Sequence, residues 1–200
     1  MTATQELITA VASDDTDEIH NQINAGADIN ARDDKGYTLL QNAIRGFKNS
    51  AVAVLLERGA DAEIAALPEP SYTALHIAAQ CANEIAAKLL LQYRIEPDIR
   101  DDAGETPLHV AAATGALAVA KVLVESGAEV MPADKNKETP RDIAARLAKP
   151  ETAQYLQNVE VERGIDRESE AARRAKVDGD IVVLKSHHPE RYKIRTKLTP

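Results

Sequence analysis

The chain has 200 residues, 44% of them hydrophobic and 28% charged, with a formal net charge of −8 at pH 7. Its apolar residues are chiefly Ala, Leu, Ile and Val, with one Phe, five Tyr and no Trp, a supply suited to thin helical layers and not to one thick core. Residues 161–200 hold 10 Lys/Arg against 7 Asp/Glu, so the first 160 carry 14 against 25, a net of −11 that speaks against general phosphate-backbone binding.

In chain order, Gln5–Ala12 and Thr16–Asn24 are predicted as a helix pair, with Asp14 or Asp15 near the start of the second and Gly26 just past its end. Asp33-Asp34-Lys35-Gly36 is turn chemistry. Thr38 then suits an N-cap, since its hydroxyl accepts a first-turn N–H, and Val52, Val54, Leu55 and Leu56 give the helix after it its bulk. Gly59 ends that helix where a positive φ is cheap. The connection Asp61–Thr73 contains Pro68 and Pro70 and is two residues longer than its counterpart Glu129–Thr139, which predicts a bulged or re-shaped loop. Thr73 opens the next helix, where Ala78 and Ala79 allow close approach, followed by Leu89, Leu90 and Leu91. Arg94 stands where the other units have glycine and predicts a different end to that helix.

Asp101-Asp102-Ala103-Gly104 makes the next turn, and Thr106-Pro107 places proline at a first helical position, where its missing N–H has no intrahelical partner. Ala111, Ala112, Val122, Leu123, Val124 and Gly127 repeat the pattern. Pro140–Leu147 and Pro150–Asn158 form the last predicted pair, with Arg141, Arg146 and Lys149 giving it a polar outer surface. From Glu160 the pattern stops. Ile165–Lys176 predicts a polar helix with Arg167, Glu168, Arg173 and Arg174 set for surface pairs, and Asp178-Gly179-Asp180 a turn. Ile181–Leu184 predicts a short strand and Arg191–Leu198 an extended segment.

Four segments share one register: Thr38-Leu39-Leu40-Gln41, Thr73-Ala74-Leu75-His76, Thr106-Pro107-Leu108-His109 and Thr139-Pro140-Arg141-Asp142, their threonines 35, 33 and 33 residues apart. Gly59, Arg94 and Gly127 follow the first three threonines at an offset of 21, and Gly26 precedes Gly59 by 33. Two markers holding one period signify a repeat array. Thr106-Pro107-Leu108-His109-Val110-Ala111-Ala112-Ala113-Thr114-Gly115 with Val122-Leu123-Val124-Glu125-Ser126-Gly127-Ala128 resembles a nearly complete ankyrin repeat. The units led by Thr38 and Thr73 are more degenerate, and the likeness covers roughly residues 3–160.

The resemblance implies an all-α ankyrin-repeat solenoid of stacked helix-turn-helix units with β-turn or hairpin fingers, plus a C-terminal helix and a short extended tail. It divides the chain into an N-terminal cap 1–33, repeats 34–66, 67–100 and 101–133, a C-terminal cap 134–160 and a basic extension 161–200. No such unit buries its apolar face alone, so stability becomes a sum over neighbouring interfaces. Five units clear the practical minimum of about three. By the same likeness His76 and His109 are structural, bonding backbone in the loop of the neighbouring unit.

The search for catalytic chemistry yields no constellation. Cys81 stands alone, which rules out an internal disulfide and suggests no thiolate metal cluster. His20 reads as a surface residue, the adjacent His187 and His188 have no further ligand spacing, and no phosphate-cradling glycine loop occurs. We therefore expect no enzyme, no cofactor and no metal. No signal peptide and no run of about 18 apolar residues is visible, which points to the cytosol or to export by a specialised secretion system.

The expected activity is protein binding through the concave face of fingers and inner helices. The residues that packing leaves for it, by resemblance, are Asp34, Lys35, Tyr37 and Arg45; Glu69, Pro70, Tyr72, Gln80 and Cys81; Asp102, Ala103, Glu105, Ala113 and Thr114; and Lys135, Asn136, Glu138 and Arg146. Tyr37 and Tyr72 are the strongest candidates, with packing of the fingers as the competing role. The expected partner is another protein, with no nucleic acid, no membrane, and a monomer when alone. An inhibitor or immunity-type protein that occludes an enzyme is the alternative. An enzyme or metal protein acting through the tail, and a tail that contacts nucleic acid, are weaker ones.

Overall fold

A computed structural model of the protein describes residues 2–67 and 70–164. The helix, turn and extended segments expected over 165–198, with His187 and His188, lie outside the described residues, as do Pro68 and Glu69. The chain forms two compact units, Met1–Asn158 and Val159–Pro200. Of the second, the described part is the end of one helix and the turn after it.

Among the described residues ten helices come in consecutive pairs: α1 (Ala3–Ser13) and α2 (Thr16–Asn24), α3 (Leu39–Arg45) and α4 (Asn49–Glu57), α5 (Ala74–Gln80) and α6 (Glu84–Gln92), α7 (Pro107–Thr114) and α8 (Leu117–Glu125), α9 (Pro140–Arg146) and α10 (Pro150–Glu162). Among the described residues there is no strand, only an isolated antiparallel bridge between Arg32 and Thr38, so the fold is all-α. Helix α1 begins earlier than expected because the Thr2 hydroxyl accepts the Gln5 N–H at 3.3 Å, and α10 continues past Asn158.

Helices α1, α3, α5, α7 and α9 pack side by side as an inner row, and α2, α4, α6 and α8 as an outer row. The inner row owes its closeness to alanines: Ala43, Ala78, Ala79, Ala111, Ala112 and Ala144 are all buried, and Leu40, Leu75, Leu108 and Ile143 fill the space between units. The outer row contributes Val52, Leu55, Leu90, Val119 and Leu123.

The threonine register works as helix caps in two ways. The Thr38 and Thr139 hydroxyls accept the N–H of Gln41 at 3.2 Å and of Asp142 at 3.3 Å. The Thr73 and Thr106 hydroxyls instead sit 2.9 Å from Nδ1 of His76 and His109. Each residue three places on then reaches the following unit. Gln41 Nε2 donates to the carbonyls of Ile64 (2.7 Å) and Tyr72 (3.3 Å). Nε2 of His76 lies 3.1 Å from the Glu105 carbonyl, and that of His109 3.2 Å from the Glu138 carbonyl. Because a carbonyl only accepts, each imidazole carries its proton on Nε2. In the last unit the position holds Asp142, whose carboxylate takes the Thr139 N–H at 3.0 Å. A carboxylate has no N–H to pass to a further repeat.

Two further ties join units at the ends of the outer helices. Helix α4 has no side-chain cap of its own, and Asp14 of the first unit accepts the Ala51 N–H at 2.7 Å. Asn83, buried at the start of α6, accepts from Ala86 at 3.0 Å and donates at 3.1 Å to both the Ile44 carbonyl and Asn49 Oδ1. Asp15 caps α2. The different helix end expected at Arg94 does not occur. Arg94 adopts φ +62, beside +88, +85 and +96 at Gly26, Gly59 and Gly127. Its N–H reaches the Leu91 carbonyl at 3.0 Å as Gly59 reaches Leu56 at 3.1 Å. The hydrogen-bonding pattern dictates the left-handed turn, and arginine takes it with some strain.

Candidate functional site

The fingers begin with turn chemistry. Asp33, Asp101 and Asp134 each use Oδ1 to accept the N–H groups two and four residues ahead, at 2.8–2.9 Å. Their own N–H groups close the loop on the carbonyls of Tyr37 (2.9 Å), Glu105 (3.0 Å) and Glu138 (3.0 Å). Burial raises the Asp33 carboxyl, but hydrogen bonds from the Tyr37 N–H, Asn42 and the Lys35 N–H outweigh it and hold the pKa below the ordinary value. The second finger is re-shaped, as its length predicts. Ala66 stands where the others have aspartate, and its N–H reaches the Tyr72 carbonyl at 2.8 Å across a wider loop.

Fingers are joined in twos. Arg32 donates to the Gly36 carbonyl at 2.6 Å and to Ala65 of the second finger at 2.8 Å, and the Leu67 N–H adds a bond to Gly36 at 3.3 Å. Arg100 repeats this between the third and fourth, donating at 2.8 Å to Gly104 and to Ala133, with the Lys135 N–H on Ala103 at 3.1 Å. Between the second and third fingers the Ser71 hydroxyl donates to the Asp102 carboxylate, and between the third and fourth Lys135 Nζ donates to the Asp102 carbonyl.

One pair of positions recurs on this face: the residue before each threonine, and the residue eight later on the inner helix. In the first finger it is Tyr37 with Arg45, whose guanidinium carbon lies 4.1 Å from the ring centroid. In the fourth it is Glu138 with Arg146, a bidentate pair at 2.8 and 3.0 Å that raises the arginine's pKa. In the second it is Tyr72 with Gln80; Tyr72 turns to stack on His76, centroids 5.4 Å apart at 7°. Burial, then Glu105 and Asp101, push the Tyr72 hydroxyl up to about 12. In the third it is Glu105 with Ala113, and the half-buried carboxyl is raised by burial and then by Asp101, Asp134 and Glu138, against the opposing pull of Arg146.

The expected face residues divide accordingly. Asp34, Lys35, Arg45, Gln80, Asp102, Thr114, Lys135 and Arg146 are exposed, and Tyr37, Tyr72, Cys81, Glu105 and Glu138 are partly so. Glu69 lies outside the described residues. Cys81 caps the end of α5, and burial raises its thiol despite Arg45 nearby. The Thr114 hydroxyl folds back on the Val110 carbonyl at 2.9 Å. The exposed Arg146 pairs with Glu138. His20 is not a bare surface group; its Nδ1 is 3.1 Å from Arg58 of the next unit. Among the described residues no group of three or more His, Cys, Asp or Glu is arranged to hold a metal ion, and no helix is long and apolar enough to cross a membrane.

The sequence-family model for ankyrin repeats (three copies) matches residues 7–101 and 86–166. The chain belongs to the ankyrin-repeat family. Over 103 residues, 51% of this chain, it is 34% identical to the E3 ubiquitin-protein ligase Ufd4 of Drosophila melanogaster, of which this covers 4%. Over 102 residues, again 51%, it is 29% identical to an ankyrin repeat-containing protein of Treponema pallidum (strain Nichols), of which this covers 34%. The chain thus spans at most little more than a third of the length of either of these relatives.

Ankyrin repeats are generally non-catalytic protein-interaction modules. Asp134 and the Arg32 and Arg100 ties are what sequence reading passed over, although Asp33 and Asp101 stood in its turns. Their signal was present: Asp33, Asp101 and Asp134 keep the repeat register, and Arg32 and Arg100 each precede such an aspartate.

Proposed function

We propose that this ankyrin array, residues 1–160, is a non-catalytic adaptor that binds another protein through its finger and inner-helix face, with residues 161–200 as an extension. The observation that supports this most is that exposed Asp34, Lys35, Arg45, Gln80, Asp102, Lys135 and Arg146 ride on fingers and helices whose backbone is held by partly buried hydrogen bonds. The backbone under these side chains is held before any partner arrives, so little ordering entropy opposes association. An interface of about 800 Å² on this side is within the reach of such a surface. We place the protein in the cytosol as a monomer that needs no cofactor and takes neither nucleic acid nor membrane as partner.

The test is affinity purification with the full chain, followed by calorimetry on the protein that co-elutes. Tyr37→Ala with Arg45→Ala is expected to weaken that complex at least about tenfold. Lys88→Ala on α6 of the outer row is expected to leave it unchanged. Binding that follows the outer row and ignores the fingers would remove the reading. If the partner is an enzyme whose turnover stops in the complex, the protein acts as an inhibitor and not as a neutral scaffold.

A further inference from the structure

The recurring pair of positions is filled differently in each unit, and one filling is half a pair. Glu138 and Arg146 show what a carboxylate at the first position does when an arginine stands at the second: a two-pronged bond at 2.8 and 3.0 Å. Tyr37 and Arg45 show the aromatic version at 4.1 Å. Glu105 occupies the same register as Glu138, but the matching inner-helix residue is Ala113, which ends at its methyl group. Among the described residues the Glu105 carboxylate makes no hydrogen bond and no ion pair. Arg146, the nearest cation acting on it, is already held by Glu138. Asp101 and Asp134 add negative charge around it, the Tyr72 hydroxyl feels its charge, and one Asp101 oxygen is buried without a partner of its own.

We infer that Glu105 is the seat of an arginine side chain from the bound protein, its guanidinium lying over Ala113 where Arg146 lies over its own unit. This rests on the groove reading above and names the chemistry the groove selects. The planar fork of arginine matches a carboxylate bidentately and stacks on aromatic faces, so arginine fits this place better than lysine does. The surrounding acids disfavour a second carboxylate there, so the same seat repels acidic segments.

Two measurements on the full chain test it. In Ala113→Arg the introduced guanidinium stands to Glu105 as Arg146 stands to Glu138. The Glu105 carboxyl pKa, followed by carbon-13 NMR, is expected to fall relative to wild type; an unchanged value means the geometry holds no guanidinium and overturns the inference. Randomised dodecapeptides displayed on phage and selected on the wild type form the second probe. Arginine should be enriched at one position, with affinity lowered about tenfold by Glu105→Gln and by Ala113→Arg, which fills the seat from within. Peptides that lose binding with Tyr37→Ala and Tyr72→Ala but ignore Glu105→Gln would overturn the arginine seat and leave the groove reading standing. Peptides indifferent to all of these variants, or no peptide binding at all, would count against both.

Discussion

His76 and His109 each tie their own unit to the next. Each imidazole meets its own threonine at 2.9 Å and the next unit's carbonyl at 3.1 or 3.2 Å, with its ring buried. Removing the ring leaves a carbonyl and a threonine without partners, so His109→Ala should cost about 1–3 kcal/mol in urea unfolding. His109→Gln should cost markedly less, because Gln41 makes the same bridge in the second unit. The pH dependence follows from the same geometry. Burial is the main reason both imidazoles titrate below their ordinary value, against smaller opposing contributions from the carbonyl bonds and nearby acids. The unfolded chain therefore takes up protons first. Stability is full above the ordinary imidazole range, near 6.5, and is lost as pH falls from there toward the folded values. Melting curves of wild type should shift down across that window, and the double variant His76→Gln, His109→Gln should show a flatter profile.

The helix ends show what the sequence made legible and what it did not. Threonine spacing and the glycine register placed the helices of each repeat close to where they lie, because caps and left-handed C-termini are local chemistry. Arg94 defeated that logic: its neighbours' hydrogen bonds impose φ +62 on a residue that local preference assigns elsewhere. Arg94→Gly relieves the strain but loosens the unfolded chain, so a gain of up to about 1 kcal/mol is expected, and Gly59→Arg should lose about as much. Thermal unfolding of the two variants reads both signs. Asn83 and Asp14 were harder to foresee, because each caps or ties a helix from a distance, 34 to 39 residues along the chain. Asn83→Ala strips three bonds from a buried site and should destabilise by about 1–3 kcal/mol in denaturant titration.

The array as a body depends on neighbours. Leu108 is fully buried in the fourth unit between inner helices, so Leu108→Ala should cost about 2–5 kcal/mol, seen as an earlier unfolding midpoint. The face was legible as a list of positions, since exposure follows the register, but not as a set of relationships. That Tyr72 leans on His76 while Tyr37 carries Arg45 depends on rotamers the spacing does not report. Hence Tyr72→Ala should also cost some stability. The Arg32 and Arg100 straps have a mechanical meaning. Leu67 and Lys135 give their N–H groups to the preceding finger, whereas among the described residues the Asp102 N–H, in the same register, makes no such bond. Its amide should exchange with deuterium faster than the other two. Strapped in twos, neighbouring fingers take up strain together, and the seam between the second and third rests on Ser71 with Asp102 and on His76 with the Glu105 carbonyl.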